Sequence, residues 1–350
     1  MIDILIQRYD RKLLTYLGIL AVMGTVMLYS ASWYESFSSS NGRTEMLFLQ
    51  GHLKRMLVGV FFLFGFLTLD YRRLKEVAPY FIIVSIFLLI ITKGYYLVNG
   101  LGWSKPARWL FIGPFSIQTS DIARMAVIVY MAYYVDKKRD QLKEFQMGFL
   151  PALGVLAVIM GLIVIQPDFS TAIMLGLIGL FMLFIGRANF SQLLATSVAG
   201  IALAIPVLLM APYRWERVRS WLNKNEDLST IGYQAYQSLI SLGNGGFRGL
   251  GLGNSLEKNM FLPEPHTDFI FSIIGEEIGF IGTFFILTLF LLFFQRGIRI
   301  AKECTDPFGV MLAVGISFNF ILYAFVNAYR IKLNEIPTAN MTPNGSVHSI

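Results

Sequence analysis

Long runs of apolar residues follow one another along this chain, separated by short polar segments. A bilayer core of about 30 Å is crossed by a helix of about 20 residues, and most of these runs approach that length. Lipid offers the backbone no hydrogen-bonding partner, so every crossing is expected to be helical. The pattern predicts an all-α, polytopic membrane helix bundle with about nine transmembrane helices. The predicted spans are residues 13–34, 54–70, 77–93, 115–135, 147–166, 169–186, 190–211, 267–295 and 308–327.

The distribution of lysine and arginine predicts a cytoplasmic N-terminus. With that orientation these cations are roughly twice as dense in the inner segments as in the outer ones, as expected for cytoplasmic loops. The long polar segment 212–266 is then an outer loop between helices 7 and 8. Within it, Tyr213 to Leu222 has the apolar spacing of an interfacial helix. Six glycines between residues 243 and 253 predict an irregular, mobile stretch.

Composition agrees with a membrane protein. The chain is 55% hydrophobic and only 15% charged, against about 25% charged in soluble domains. The net charge of +7 is explained by the cytoplasmic loops, so no nucleic-acid partner is expected. Cys304 is the only cysteine, which excludes an internal disulfide, and the three histidines are too scattered for a zinc site. The first apolar run is too long for a signal peptide and predicts an uncleaved span.

Acidic residues at the membrane boundary mark candidate sites, because an ionisable group at that depth is costly. Asp268 lies where the long outer loop enters helix 8, and Asp168 follows Pro167 in the short break between helices 5 and 6. Each is either a helix cap or a functional carboxylate. Glu276 and Glu277 lie deeper in helix 8 and are candidates for a structural bridge to an arginine.

A third candidate segment precedes helix 4. Arg108 stands beside Trp109, which is typical of an interfacial anchor, but its planar guanidinium also suits phosphate. Asp121 and Arg124 have the i, i+3 spacing of a self-neutralising pair. An outward-facing group of carboxylates and arginines suits a lipid-linked, phosphate-bearing substrate. Its members are Asp168, Asp268, Arg108, Arg214, Arg217 and Arg219.

At these motifs the chain resembles the SEDS family (shape, elongation, division and sporulation proteins), over about residues 10–328. The segment Leu262 to Phe271, which reads LPEPHTDFIF, is the most specific part of the resemblance. Gly251 to Ser255 followed by Leu262-Pro263-Glu264 is more similar to the division branch (FtsW) than to the elongation branch (RodA). The other matching stretches are Leu28–Ser32, Ala107–Trp109, Gly113–Gln118, Gln166–Asp168, Gly232–Gln234, Gln237–Ser238 and Gly275–Glu277.

The resemblance implies a peptidoglycan glycosyltransferase. Such a hexosyltransferase polymerises lipid II at the outer face of the bacterial cytoplasmic (inner) membrane during cell division or elongation. The implied partners are a class B penicillin-binding protein and other divisome or elongasome membrane proteins. The resemblance carries the family's catalytic aspartate onto Asp268, its second functional aspartate onto Asp168, and its arginine before helix 4 onto Arg108. The full set of expected substrate-binding residues is Arg108, Asp168, Arg214, Arg217, His266 and Glu277.

The expected chemistry fits these residue types. Joining two sugars with inversion requires a base for the acceptor hydroxyl, and Asp268 is the candidate. The pyrophosphate leaving group needs cations, supplied by arginines or by a divalent ion such as Mg or Mn on Asp168 or Asp268.

Departures from the family pattern keep alternatives open. The family has ten spans, with a Gly/Pro-rich motif before the last, and neither follows Ala328 here. We therefore expect one transmembrane domain over residues 1–328 and an atypical polar tail over 329–350, as a truncated or frameshifted gene would give. An inactive scaffold of the division machinery is one alternative function. A lipid II flippase or transporter is another, although the sequence shows no broken helices in inverted repeats.

Overall fold

The computed structural model describes residues 9–99, 108–112, 115–209, 231–258 and 269–332. Over these residues the chain forms ten α-helices and one antiparallel β-hairpin. The helices are α1 (Arg11–Ser39), α2 (Leu47–Thr68), α3 (Arg73–Val98), α4 (Thr119–Lys137), α5 (Leu150–Ile165), α6 (Phe169–Ile185), α7 (Phe190–Leu209), α8 (Ile231–Gly245), α9 (Ile270–Glu303) and α10 (Pro307–Lys332). The strands are β1 (Trp109–Ile112) and β2 (Phe115–Gln118).

The predicted membrane helix bundle is confirmed, with one helix for each predicted span. Among the described residues, six helices are long and apolar enough to cross a membrane, and α6 and the first part of α7 are shorter apolar helices. Three details differ from the predictions. Residues 115–118 form a strand instead of the start of a helix, α8 was not predicted, and α10 continues past Ala328 to Lys332. The predicted interfacial helix over 213–222 lies outside the described residues.

The first compact unit comprises residues 1–22, 52–203 and 287–324. Its centre is α4, which packs against α3, α5 and α6 and is buried on most of its surface. Small residues such as Ala123, Ala126 and Ala132 are completely covered and allow this close packing. By contrast, α2 buries none of its side chains, as suits a helix that faces lipid.

The second unit comprises residues 23–51, 204–286 and 325–350, and its main feature is a break in α9. At Gly279 the backbone has φ 66° and ψ −167°, a conformation that only glycine adopts readily. The segment 246–258, which follows α8, supplies the hydrogen bonds that the break removes. Leu250 N–H and Gly251 N–H donate to the carbonyls of Glu276 and Glu277, and Phe280 N–H and Ile281 N–H donate to those of Gly246 and Phe247.

Glycine makes this backbone contact sterically feasible. A Cβ on Gly279 would lie 2.4 Å from the Gly249 nitrogen, and one on Gly249 would lie 2.3 Å from the Glu277 carbonyl oxygen. A Cβ on Gly245 would lie 1.9 Å from the Gly275 oxygen. The glycines predicted as an irregular, mobile stretch are thus partly helical, and Gly246, Gly249 and Gly251 lie against the backbone of α9.

Glu257, in the same segment, is buried close to another carboxylate. Its side chain is almost completely buried, and its Oε2 has no hydrogen-bond partner. Burial raises the pKa of Glu257, and repulsion from the Glu276 carboxylate raises it further. The neutral form of this carboxyl is therefore more favoured in the folded than in the unfolded chain.

We expect Gly279→Ala to lower the stability of the protein by about 2–4 kcal/mol, because it adds both a disfavoured φ and a clash with Gly249. Thermal unfolding of the full chain in detergent measures the effect. Gly154→Ala is the matched control, since its added Cβ meets no atom within 4 Å and alanine favours a helix. Equal melting temperatures for the two variants would contradict the proposed packing.

Glu257 also predicts a pH dependence. Its pKa is higher in the folded than in the unfolded chain, where the usual value is 4.5. Its contribution to stability is therefore complete below about pH 4.5 and is lost as the pH rises through the folded pKa. Glu257→Gln removes the charge, so we expect a higher melting temperature than the parent at pH 7.5 and no difference at pH 4.5. The exposed Glu45→Gln variant should match the parent at both pH values.

Candidate functional site

Arg108 and Asp168, both predicted as site residues, lie next to each other in the first unit. Arg108 Nη2 donates a 2.6 Å hydrogen bond to the Pro167 carbonyl, and Nη1 lies 3.9 Å from Asp168 Oδ1. The Asp168 carboxylate is almost completely buried and also accepts a hydrogen bond from the Ser120 hydroxyl. The Arg108 side chain is 39% exposed, so the guanidinium is held from one side and open on the other.

Local sequence explains how Asp168 reaches this position. Gln166 ends α5, and its Nε2 donates to the Leu89 carbonyl inside the unit, which fixes the short turn before α6. Asp168 then begins α6, but its side chain makes no capping hydrogen bond. The carboxylate instead faces Ser120 and Arg108, so the helix-cap interpretation of Asp168 does not describe its contacts.

Asp121 and Arg124 form the ion pair that their spacing predicts, with 3.1 Å between Asp121 Oδ1 and Arg124 Nη2. The two groups are close enough for an ion pair, but their geometry is not that of a hydrogen bond, and Asp121 Oδ1 accepts none from the described residues. The Arg124 guanidinium also lies 4.3 Å from the centre of the Tyr323 ring, within the range of a cation–π contact. Two arginine nitrogens, Nε and Nη1, are buried without hydrogen-bond partners.

Glu277 lies in a buried ion pair in the second unit. Its Oε1 is 2.7 Å from Lys258 Nζ, and both of its carboxylate oxygens lie 2.6 Å from the Ser30 hydroxyl of α1. Lys258 Nζ is also 3.3 Å from Ser30 Oγ. All three side chains are buried. The bridge expected for this glutamate therefore exists, but a lysine of the 246–258 segment forms it instead of an arginine on a neighbouring helix.

Glu276 is equally buried and binds the same segment through neutral donors. Its carboxylate accepts hydrogen bonds from the hydroxyls of Ser255 and Ser241 and from the Leu256 N–H. Two adjacent glutamates of α9 thus hold the end of the 246–258 segment, one through a lysine and one through serines. Consecutive side chains of a helix are rotated by about 100° around its axis, so Glu276 and Glu277 point in different directions and reach different partners.

Sequence reasoning missed Lys258, Ser255 and Ser120 as partners of the candidate carboxylates. Ser30 lies in a stretch that matched the family, but nothing in its local pattern indicates a contact with Glu277. The predicted catalytic Asp268 lies outside the described residues, as do Arg214, Arg217 and His266. Their predicted roles stay predictions, and so does substrate binding by Arg108, Asp168 and Glu277.

The described residues around Asp168 do not fit a divalent cation. The donors are one carboxylate and one hydroxyl, beside an arginine, whereas Mg²⁺ requires near-octahedral oxygen ligands. Among the residues that the structure describes, no group of three or more His, Cys, Asp or Glu side chains comes together as a metal site. The Mg or Mn expected on Asp268 stays a prediction.

A family model described as a cell cycle protein, FtsW/RodA/SpoVE, matches residues 11–338. The chain is 36% identical over 344 residues to the probable peptidoglycan glycosyltransferase FtsW of Geobacter sulfurreducens, covering 96% of this chain and 89% of that one. It is 34% identical over 329 residues to the stage V sporulation protein E of Bacillus subtilis, covering 93% and 87%.

Solved structures show the same fold. A chain from a peptidoglycan synthase complex that coordinates polymerization and crosslinking superposes with a TM-score of 0.72 at 22% identity, covering 95% of this chain and 90% of that one. A variant of the rod shape determining protein RodA from Thermus thermophilus gives a TM-score of 0.64 at 19% identity, covering 95% and 89%. The chain is a multi-pass inner membrane protein that belongs to the FtsW/RodA/SpoVE family.

Proposed function

We propose that the chain is a peptidoglycan glycosyltransferase that polymerises lipid II at the outer face of the cytoplasmic membrane. The observation that carries this proposal is its identity of 34–36% with relatives named probable peptidoglycan glycosyltransferase FtsW, over more than 90% of its length. A class B penicillin-binding protein is the proposed partner. The superposition on a chain of a peptidoglycan synthase complex supports this pairing.

The contacts of Arg108 support a role in binding the pyrophosphate. One N–H of the guanidinium donates to the Pro167 carbonyl. The Asp168 carboxylate lies 3.9 Å from Nη1, so it does not occupy the remaining N–H donors. Since an arginine carries five N–H donors in a planar fork, several remain for phosphate oxygens. Asp168 then acts as a positioning residue that orients Arg108 instead of touching the substrate.

Asp268 is the proposed general base. Its carboxylate would take the proton from the acceptor sugar hydroxyl while that oxygen attacks the anomeric carbon of the donor. The bond to the undecaprenyl pyrophosphate breaks in the same step, and the leaving phosphate gains negative charge. Arg108, Arg214 and Arg217 are proposed to stabilise that charge, with His266 as a further polar contact.

The ion pair between Lys258 and Glu277 is proposed to position the segment that carries Asp268. Lys258 is the last described residue before the segment 259–268, and that segment leads into α9. The ion pair connects Lys258, at the start of the 259–268 segment, to Glu277, which lies two turns inside α9. A misplacement of about 1 Å at a catalytic group lowers a rate by as much as 10²-fold, so such a tie would matter for activity.

A lipid II flippase is the second candidate, because the break in α9 at Gly279 is the kind of feature that transporters use. The sequence shows no broken helices in inverted repeats, and a single break in α9 does not test that expectation. However, the peptide groups at the break bind the backbone of residues 246–251 instead of lining a cavity. This contact favours bond chemistry over transport. Translocation of labelled lipid II across vesicles that contain the chain, without any polymer, would favour the flippase over the glycosyltransferase.

A test of the catalytic mechanism concerns Asp268. We expect Asp268→Asn to lower the rate of polymer formation by about 10²–10⁴-fold, since it removes the general base but keeps the shape of the side chain. Purified chain, the penicillin-binding partner and labelled lipid II are analysed on gels that separate glycan strands. The exposed Asp140→Asn variant serves as the control and should polymerise normally. Full polymer from Asp268→Asn would refute the mechanism, and no polymer from the parent would refute the function.

A further prediction concerns the buried ion pair. Lys258→Met leaves the Glu277 charge buried without a partner, so we expect a loss of about 3–5 kcal/mol in stability. The double variant Lys258→Met/Glu277→Gln removes both charges, and its melting temperature should recover.

A purely structural role predicts that polymerisation recovers together with stability in the double variant. A positioning role predicts that kcat stays at least about 10-fold below the parent, because the tie to the 259–268 segment is still missing. The binding of lipid II should be nearly unchanged, because a positioning role, unlike the substrate-binding role that the resemblance implies for Glu277, involves no contact with the substrate. Recovery of kcat to the parent value would contradict the positioning role.

A further inference from the structure

A cavity of about 230 Å³ opens in the first unit at the ends of α4, α6 and α9 and the start of α10. The cation distribution assigns these helix ends to the cytoplasmic side. Two arginines line the cavity, and much of the remaining wall is apolar. The lining residues that matter here are Arg139, Arg187, Val135, Ile185, Val310 and Met311.

Among the described residues, several cations of this unit are paired within the protein, whereas the two arginines that line the cavity are not. Lys75 forms a salt bridge with Asp136, Arg296 with Asp10, and Arg299 with Glu303. Within the described part of the chain, neither the Arg139 nor the Arg187 guanidinium forms a salt bridge or a hydrogen bond, and both side chains are exposed.

The carboxylates near the cavity do not compensate these charges. None of the residues that line it is acidic. Asp306 lies beside it in sequence, but its carboxylate accepts a hydrogen bond from Gly309 N–H at the start of α10. Asp140 follows Arg139 and is exposed, and in the described part of the chain it forms no salt bridge with Arg139. The cavity therefore combines two cations with an apolar wall and no internal counter-charge.

The backbone at Arg187 provides an independent sign of function. Arg187 has φ 69°, the left-handed conformation that strongly favours glycine. It ends α6 in a Schellman motif, with Arg187 N–H bonded to the Phe184 carbonyl and Ala188 N–H to the Leu183 carbonyl. An arginine at the position where glycine is usual reduces stability, and residues held in such conformations cluster at functional sites.

We propose that this cavity binds the phosphate headgroup of an anionic phospholipid from the inner leaflet. Arg139 and Arg187 contact the phosphate, as basic pockets between transmembrane helices do on the cytoplasmic side. The apolar side chains of Val135, Ile185, Val310 and Met311 take the glycerol and upper acyl region. This wall distinguishes a lipid from free inorganic phosphate, which would gain nothing from it. The inference is independent of the proposed polymerase activity.

The test uses the full chain in nanodiscs that contain equal amounts of phosphatidylglycerol and phosphatidylcholine. Native mass spectrometry of the released protein measures which lipid is retained. We expect preferential retention of phosphatidylglycerol by the parent. Arg187→Gly and Arg139→Gln should each lower the apparent affinity for phosphatidylglycerol about five-fold, since each removes one cation.

Arg187→Gly separates binding from folding, because glycine suits the left-handed position. Its melting temperature in phosphatidylcholine alone should equal or exceed that of the parent, while retention of phosphatidylglycerol falls. The matched control is Lys302→Gln, which removes an exposed cation of the same end of the bundle that does not line the cavity.

Three outcomes would overturn the proposal. One is unchanged retention in the double variant Arg139→Gln/Arg187→Gly. Another is an equal loss in Lys302→Gln, which would indicate attraction by net charge alone. The third is displacement of phosphatidylglycerol by millimolar inorganic phosphate, which would indicate a site for the free anion without the lipid.

Discussion

Hydrocarbon offers peptide groups no hydrogen-bonding partners, and the second unit depends on how this constraint is met where α9 breaks. At Gly279 the helix loses its own hydrogen bonds, and the backbone of residues 246–251 replaces them. Glycine on both sides of the contact brings the two backbones together. The break, the glycine-rich segment and the two glutamates before the break therefore form one interdependent structure.

The same constraint governs the buried charges. Glu276 and Glu277 are fully buried, and every oxygen of the pair finds a donor from the segment or from α1. Removing Lys258, the one cation among the described residues that faces the pair, would leave a buried charge without a counter-ion, which is why such groups hold a segment firmly. A segment anchored in this way is a rigid base for the residues that follow it, and these include the proposed general base.

The first unit uses its charges differently. The Asp168 carboxylate is buried beside Arg108, yet the guanidinium remains partly open. At the opposite, cytoplasmic ends of the helices, Arg139 and Arg187 have no internal partners at all among the described residues. A cation that binds a ligand must keep hydrogen-bond donors free, and both arginine groups meet this requirement.

The sequence by itself determined the membrane helix bundle, because runs of about 20 apolar residues have no other stable arrangement in a bilayer. It also marked Arg108, Asp168 and Glu277 as candidates, since ionisable residues at membrane depth are costly and therefore stand out. Only the tertiary structure decided their partners. Lys258 and Ser30 are 228 residues apart in the chain, and no local pattern records their contact. The break at Gly279 was hidden for the same reason, since its hydrogen bonds come from a distant segment.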